Sequence, residues 1–200
     1  MHHIVIDARV SNNPNGEHIN QFLDQLQVVD KNNKYTILVK NTDKNHWEPT
    51  AVNFSVKSVS FNQSFFNEQF SLKRLLDSLS PDLVHFCTLK QPVLYKGRHI
   101  TTLYDLVDIP GLSQLKPNYF RQFINKHIFK NTISSSKYII VSNSYIKKEL
   151  LKIIKTTLDT IAVIPFEIGV PSKTSVNFWH QTALQTHSVY IDAIRDHVRI

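Results

Sequence analysis

The sequence predicts an α/β fold, a parallel sheet with helices on both faces, and three observations lead there. Short apolar runs recur along the chain, as in strands buried on both sides. Between them lie longer segments whose apolar residues fall at helical spacing. The two kinds alternate through residues 1–173, and that alternation calls for parallel strands joined by helical crossovers.

His3-Ile4-Val5-Ile6-Asp7 is the first strand, and Asn12-Asn13-Pro14-Asn15-Gly16 is a turn cluster after it. From Glu17 to Val29, residues Ile19, Phe22, Leu23, Leu26 and Val29 form one helical stripe. Tyr35 to Val39 is the second strand and Val52 to Val59 the third. The spacing predicts a helix over Phe66–Leu79 with Phe70, Leu72, Leu75, Leu76 and Leu79 inward. Pro81-Asp82 then punctuates before the strand Leu83-Val84-His85-Phe86. Ile100 to Tyr104 is the next strand, followed by Asp105 and a Pro110-Gly111 turn; Tyr119 to Ile133 reads as a helix. Tyr138 to Val141 leads into a helix capped by Ser142, Asn143 or Ser144 and carried through Ile154. Ile161 to Ile164 closes the series at Pro165.

Two hundred residues fit one domain, or one with a short appendage, and 42% hydrophobic content is enough to bury a core. The four glycines compare with roughly 14 at average usage, and neither a P-loop nor a GxGxxG pattern occurs. A single cysteine, Cys87, excludes an internal disulfide and a multi-cysteine zinc site, and fits a reducing compartment. Met1 to Asp7 has too short an apolar run for a secretion signal, and no stretch reaches the ~20 apolar residues of a membrane span. The expected location is cytoplasmic, or peripheral at the inner face of the membrane.

The net charge of +7 lies entirely in residues 1–173: beyond Lys173, Arg195 and Arg199 balance Asp192 and Asp196. Lys126, Lys130, Lys137, Lys147, Lys148, Lys152 and Lys155 crowd the later helices, either as an ordinary solvated face or as a contact for an anionic membrane. No basic–aromatic interleaving of the kind used for nucleic acid is visible, and none is expected as a partner. Two accounts fit the tail, residues 171–200. It is a C-terminal helix near Val189–Val198 packing back on the domain, or it is foreign to the fold, as after a truncation or frameshift.

Open α/β sheets bind ligands at the carboxyl ends of their strands, beside the point where strand order reverses. That rule selects Asp7, Arg9, the Asn15-Gly16-Glu17-His18 loop, His85, the Tyr104-Asp105 pair and Ser142-Asn143-Ser144. Gly16 is a plain turn residue or a point where a phosphate meets free backbone N–H groups. Asp105 is a cap, or a carboxylate that acts as a base or holds a sugar hydroxyl. His85, inside an apolar strand, is a satisfied core histidine or a ligand contact; Asn143 is a helix cap or a ligand contact. His2, His3 and His18 have no ligand spacing, and no metal site is predicted.

Ile4-Val5-Ile6-Asp7-Ala8-Arg9, Pro81-Asp82-Leu83-Val84-His85-Phe86 and Ile100-Thr101-Thr102-Leu103-Tyr104-Asp105-Leu106 together resemble family 4 (group 1) glycosyltransferases of GT-B architecture. So does the run Ser136 to Leu150, followed by Ile161-Ala162-Val163-Ile164-Pro165. The match is collinear over residues 3–170. The resemblance implies a Rossmann-like acceptor-side domain over residues 1–170, a single GT-B half, with a second domain needed to bind the nucleotide-sugar. The implied chemistry moves a sugar from that donor to an acceptor hydroxyl, as in building cell-envelope polysaccharide, with no cofactor beyond the donor substrate. Asp105 and Tyr104 fall at the catalytic positions, and Arg9, Gly16, His18, His85 and Asn143 on the substrate side. The implied partners are a sugar or lipid-linked acceptor and a chain carrying the donor domain.

The chain departs from that family in four places. Gly16 stands alone and precedes Glu17, which repels a diphosphate; Tyr104 replaces a histidine; and the turn after the last strand reads Phe166-Glu167-Ile168-Gly169. No Glu-x7-Glu pattern follows Gly169, and residues 170–200 are too few for a donor domain. The expectation is a half-enzyme, from a truncated gene or as one subunit of a split enzyme. The alternative is a non-catalytic binding module with a basic surface for an anionic membrane or glycolipid.

Overall fold

The structure is a computed structural model that describes residues 1–9, 17–41, 47–60, 65–89, 91–104, 129–154, 158–166 and 176–195. They build β1 (His3–Asp7), α1 (Glu17–Val29), β2 (Lys34–Lys40), β3 (Phe54–Val59), α2 (Phe65–Leu79), β4 (Leu83–Phe86) and β5 (His99–Leu103). Then follow α3, helical over 129–135, β6 (Tyr138–Val141), α4 (Ser144–Ile153), a single 3-10 turn at Leu158–Thr160, β7 (Ile161–Val163) and α5 (Val176–Arg195).

All neighbouring strands pair in parallel, in the order β3-β2-β1-β4-β5-β6-β7. The order runs outward from β1 to one edge and from β4 to the other, so the reversal lies between β1 and β4. There Ile6 sits beside His85 and Asp7 beside Phe86. Side chains alternate between the two faces, which sorts the core. Ile4, Ile6, Tyr35, Ile37, Ile100 and Ile140 pack under α1 and α5. On the other face Val5, Leu38, Val84 and Phe86 meet Leu72 and Leu76 of α2, while Leu103, Ile139 and Val141 meet α3 and α4. Both faces are covered, which is why the strands read as continuous apolar runs.

Local chemistry sets the ends of these elements. Asn143, in extended conformation, accepts the Ile146 N–H at 2.9 Å and is the N-cap of α4. Ser80, with φ of 43°, ends α2 in the left-handed region, its N–H returning to Leu76 and Asp77 carbonyls. Gly97 leaves room for the Tyr95 side chain, whose hydroxyl oxygen a Cβ there would meet at 2.1 Å.

Two expectations are corrected. Phe70 is not inward but 55% exposed. At 100° per residue it stands about 160° from Leu72, so the stripe that buries Leu72 and Leu76 turns Phe70 outward. The strand expected over Ile100–Tyr104 runs one residue earlier, and Tyr104 has already left the ladder.

The tail contains a 20-residue helix, α5, that starts well before Val189 and lies along α1. Its buried stripe is Trp179, Thr182, Ala183, Thr186, Val189, Tyr190, Ala193 and Ile194. Thr182 Oγ1 donates to the Pro165 carbonyl at 3.1 Å near the carboxyl edge of the sheet. At the other end Arg98 Nη1 donates to the Ile194 carbonyl at 3.2 Å. Two threonines and two alanines in that stripe weaken its apolar signal in sequence, yet small side chains are what let two helices approach closely.

Candidate functional site at the carboxyl edge

The first polar group at the β1–β4 reversal is Asp7, the last residue of β1 and fully buried. A buried carboxylate needs a partner, and Arg9 supplies it two residues on. Arg9 Nε donates to Asp7 Oδ1 at 2.7 Å and Nη2 to Oδ2 at 2.8 Å, a fork-on-fork pair, while Nη1 donates to Glu68 Oε1 at 2.5 Å. Burial works against the Arg9 charge, but Asp7 and Glu68 outweigh it and hold the guanidinium's pKa above its ordinary value. Glu68 lies in the first turn of α2. The neighbouring Gln69 accepts the Val93 N–H at 3.0 Å, so one helical turn is tied both to the end of β1 and to the chain after β4.

On the opposite face, the start of α1 meets the end of β5. The His18 ring packs edge-on to Tyr104, with centroids 4.4 Å apart, and Phe166 closes on both at 6.4 Å and 5.4 Å. Trp179 of α5 stands behind Phe166. The Tyr104 hydroxyl reaches the Cys87 thiol. Burial first, and then the Asp7 charge, push that thiol's pKa up, and the hydrogen bond from Tyr104 does not reverse the shift. Cys87 is therefore a protonated packing residue and not a nucleophile. Ser142 Oγ donates to the Tyr104 carbonyl at 3.1 Å and ties the end of β6 to that of β5, with Asn143 exposed beside it.

The sequence-selected residues thus fall into distinct places. Arg9 is at the reversal, locked on two carboxylates. His18 and Tyr104 touch one another at the carboxyl edge. Asn143 caps α4 at the rim of the same edge. His85 points into the core: its Nδ1 is 2.6 Å from the Tyr190 hydroxyl and its Nε2 2.7 Å from Thr102 Oγ1. Burial pushes its pKa down to about 3, so it is neutral in the folded protein. Gly16 and Asp105 lie outside the described residues. Glu68 and Phe166 are the residues that sequence reasoning missed. A single acidic residue in a first helical turn reads as ordinary dipole compensation, and only the fold reveals which strand end it faces.

Among the described residues, no group of three or more His, Cys, Asp or Glu side chains could hold a metal ion, and no helix is long and apolar enough to cross a membrane.

No protein-family model and no curated protein matches the sequence. Among solved structures, the chain is similar to a UDP-GlcNAc 2-epimerase from Methanocaldococcus jannaschii at 15% identity and a TM-score of 0.49; the match covers 81% of this chain and 44% of that one, less than half its length. It is also similar to a sucrose-phosphate synthase from Thermosynechococcus elongatus, at 11% identity and a TM-score of 0.64, over 95% of this chain and 98% of that chain. At that identity the likeness is one of fold, and the fold is the Rossmann-like α/β one, a parallel sheet flanked by helices on both faces, that the sequence predicts.

Proposed function

We propose that this chain is the acceptor-binding half of a glycosyltransferase, resembling family 4 (group 1) enzymes, that moves a sugar from a nucleotide-sugar to an acceptor hydroxyl. One observation supports the reading above the others. The collinear motifs of the resemblance end at the same edge of the sheet, where His18, Tyr104, Ser142 and Asn143 converge beside the β1–β4 reversal. That edge is where open α/β sheets take ligands.

In this reading the acceptor hydroxyl attacks the anomeric carbon of the donor, the nucleoside diphosphate leaves, and the hydroxyl proton passes to Asp105 beside Tyr104. By the resemblance Gly16 belongs to the donor-phosphate side, where the following Glu17 weakens the contact, and Asn143 borders the acceptor. The donor itself is held by a second domain, on a partner chain or further along the same protein. Residues 1–200 alone are then expected to bind the acceptor and not to turn over the donor. Saturation-transfer NMR with a panel of methyl glycosides should show transfer to at least one of them. The same protein mixed with a nucleotide-sugar should release no nucleoside diphosphate beyond background. Efficient release by the chain alone sinks the half-enzyme reading; no transfer to any glycoside sinks the acceptor reading.

A second reading, a binding module on an anionic membrane or glycolipid, is favoured by one surface. Lys130, Lys137, Lys148 and Lys152 are exposed on and around α3 and α4, with Tyr145 60% exposed on the same helix as two of them. Basic residues near an anionic surface contribute about 1 kcal/mol each. The expected result is flotation with vesicles containing phosphatidylglycerol and none with phosphatidylcholine alone. Equal recovery with both would remove the membrane contact.

A further inference from the structure

Of the charged groups described at the β1–β4 reversal, Glu68 is the most exposed, with Arg9 held behind it. Arg9 is 4% exposed and its Nε, Nη1 and Nη2 all donate to carboxylates; Glu68 is 35% exposed. Arg9 takes only one oxygen of Glu68, Oε1, and among the described residues Oε2 accepts no hydrogen bond. Among the described residues, the charged groups bonded to one another here are two carboxylates, Asp7 and Glu68, and one guanidinium. The carboxylate nearest solvent is fixed at both flanks, by Arg9 through its own side chain and by the Gln69–Val93 bond next to it.

We infer that Glu68 is a ligand-binding residue of this edge and that the site takes a neutral polyhydroxylated ligand in preference to a phosphorylated one. The inference rests on the proposed acceptor role and adds to it the class of acceptor. Two kinds of observation carry it. Glu68 Oε2 is a charged acceptor on a rigid helix start, suited to receive a sugar hydroxyl in a charge-assisted hydrogen bond. A phosphate brought to the same place meets like charge, because the guanidinium that would attract it is already covered. The chain's overall positive charge does not reverse this, since exposed charges are largely screened beyond about 10 Å at ordinary salt while the Glu68 carboxylate would be in contact.

The test compares the same protein with methyl glycosides of gluco, galacto and manno configuration and with the 6-phosphate of each, by NMR titration at fixed ionic strength. The neutral sugar should bind at least about tenfold tighter than its phosphate, the scale of a close like-charge contact in partly screened surroundings. In Glu68→Gln, affinity for the neutral sugar should fall and the discrimination should shrink towards unity. Arg9 keeps its Asp7 fork there, and a thermal melt verifies the fold. If Glu68→Gln does not fold, the wild-type comparison alone decides. Tighter binding of the phosphates by the wild type overturns the inference and leaves the acceptor reading standing. Binding of neither class overturns both. Unchanged discrimination in a folded Glu68→Gln protein removes Glu68 from the site.

Discussion

Replacing Arg9 with methionine should cost about 3–5 kcal/mol of folding stability, read as a fall in the urea midpoint at unchanged slope. The reason lies in Asp7, whose carboxylate is fully buried and whose two oxygens both accept from the Arg9 fork. Methionine fills much of the same volume but leaves a desolvated anion with only backbone to answer it. The contrast is with Lys73–Asp77 and Lys152–Glu149, exposed pairs of similar length, 2.6 Å each, where removing the lysine should cost well under 1 kcal/mol. A second change, Asp7→Asn in the Arg9→Met background, should recover part of the loss, because the charge that needed a partner is gone. If Arg9→Met costs less than 1 kcal/mol, water reaches Asp7 and the end of β1 is looser than the ion pair implies.

Stability should also fall steeply on acidification, through His85. Its folded-state pKa, about 3, lies below the 6.5 of an unhindered histidine because burial disfavours the charged ring. The unfolded chain therefore binds the proton more readily, and acid favours unfolding. The contribution is complete above pH 6.5 and is lost as pH falls from 6.5 towards 3, at up to about 1.4 kcal/mol per pH unit. From pH 7 to pH 5 this single group should remove about 2 kcal/mol. His99, also shifted down by burial, acts in the same direction, whereas the downshifted Asp30 matters only below its ordinary 3.8. The measurement is urea unfolding at pH 7 and pH 5 for the wild type and for His85→Gln. Glutamine keeps polar groups towards Tyr190 and Thr102 but does not titrate, so the variant should be less stable at pH 7 and have a flatter pH response. Parallel pH responses in the two proteins would assign the acid sensitivity elsewhere.

What the sequence makes legible here follows from which physical signal each element carries. The strands are buried on both faces, and β1, β4 and β6 could be bounded from their apolar runs alone. The amphipathic stripe of α1 and the Ser-Asn-Ser cap of α4 are equally local signals. Helix α5 is legible only in its later part, as one of two accounts of the tail, because the upstream half of its stripe mixes Trp179 with Thr182, Ala183 and Thr186, residues that hydropathy marks weakly. In the site, the pairing of Arg9 with Asp7 spans two residues, but its tie to Glu68 spans 59 and depends on how α2 crosses the sheet. The contact between His18 and Tyr104 likewise exists only once α1 and β5 reach the same edge. Local periodicity reports elements, and side chains meet across the sheet through topology.

Helix α5 has a kinetic consequence for how the protein is made. It contributes Trp179, Ala183, Tyr190 and Ala193 to the same core that holds Ile4, Ile6 and Cys87, and Tyr190 bonds to a histidine 105 residues earlier. Synthesis runs from the amino end, so the α1 side of the sheet stays partly uncovered until residues 176–195 have emerged. For that interval the nascent chain shows water an apolar sheet face, together with the polar faces of His85 and Thr102. Contacts of such long sequence separation form slowly, and exposed sheet surface is what aggregates or recruits chaperones. Helix α5 is in this sense what closes the α1 side of the sheet, and its arrival sets how long that face remains vulnerable.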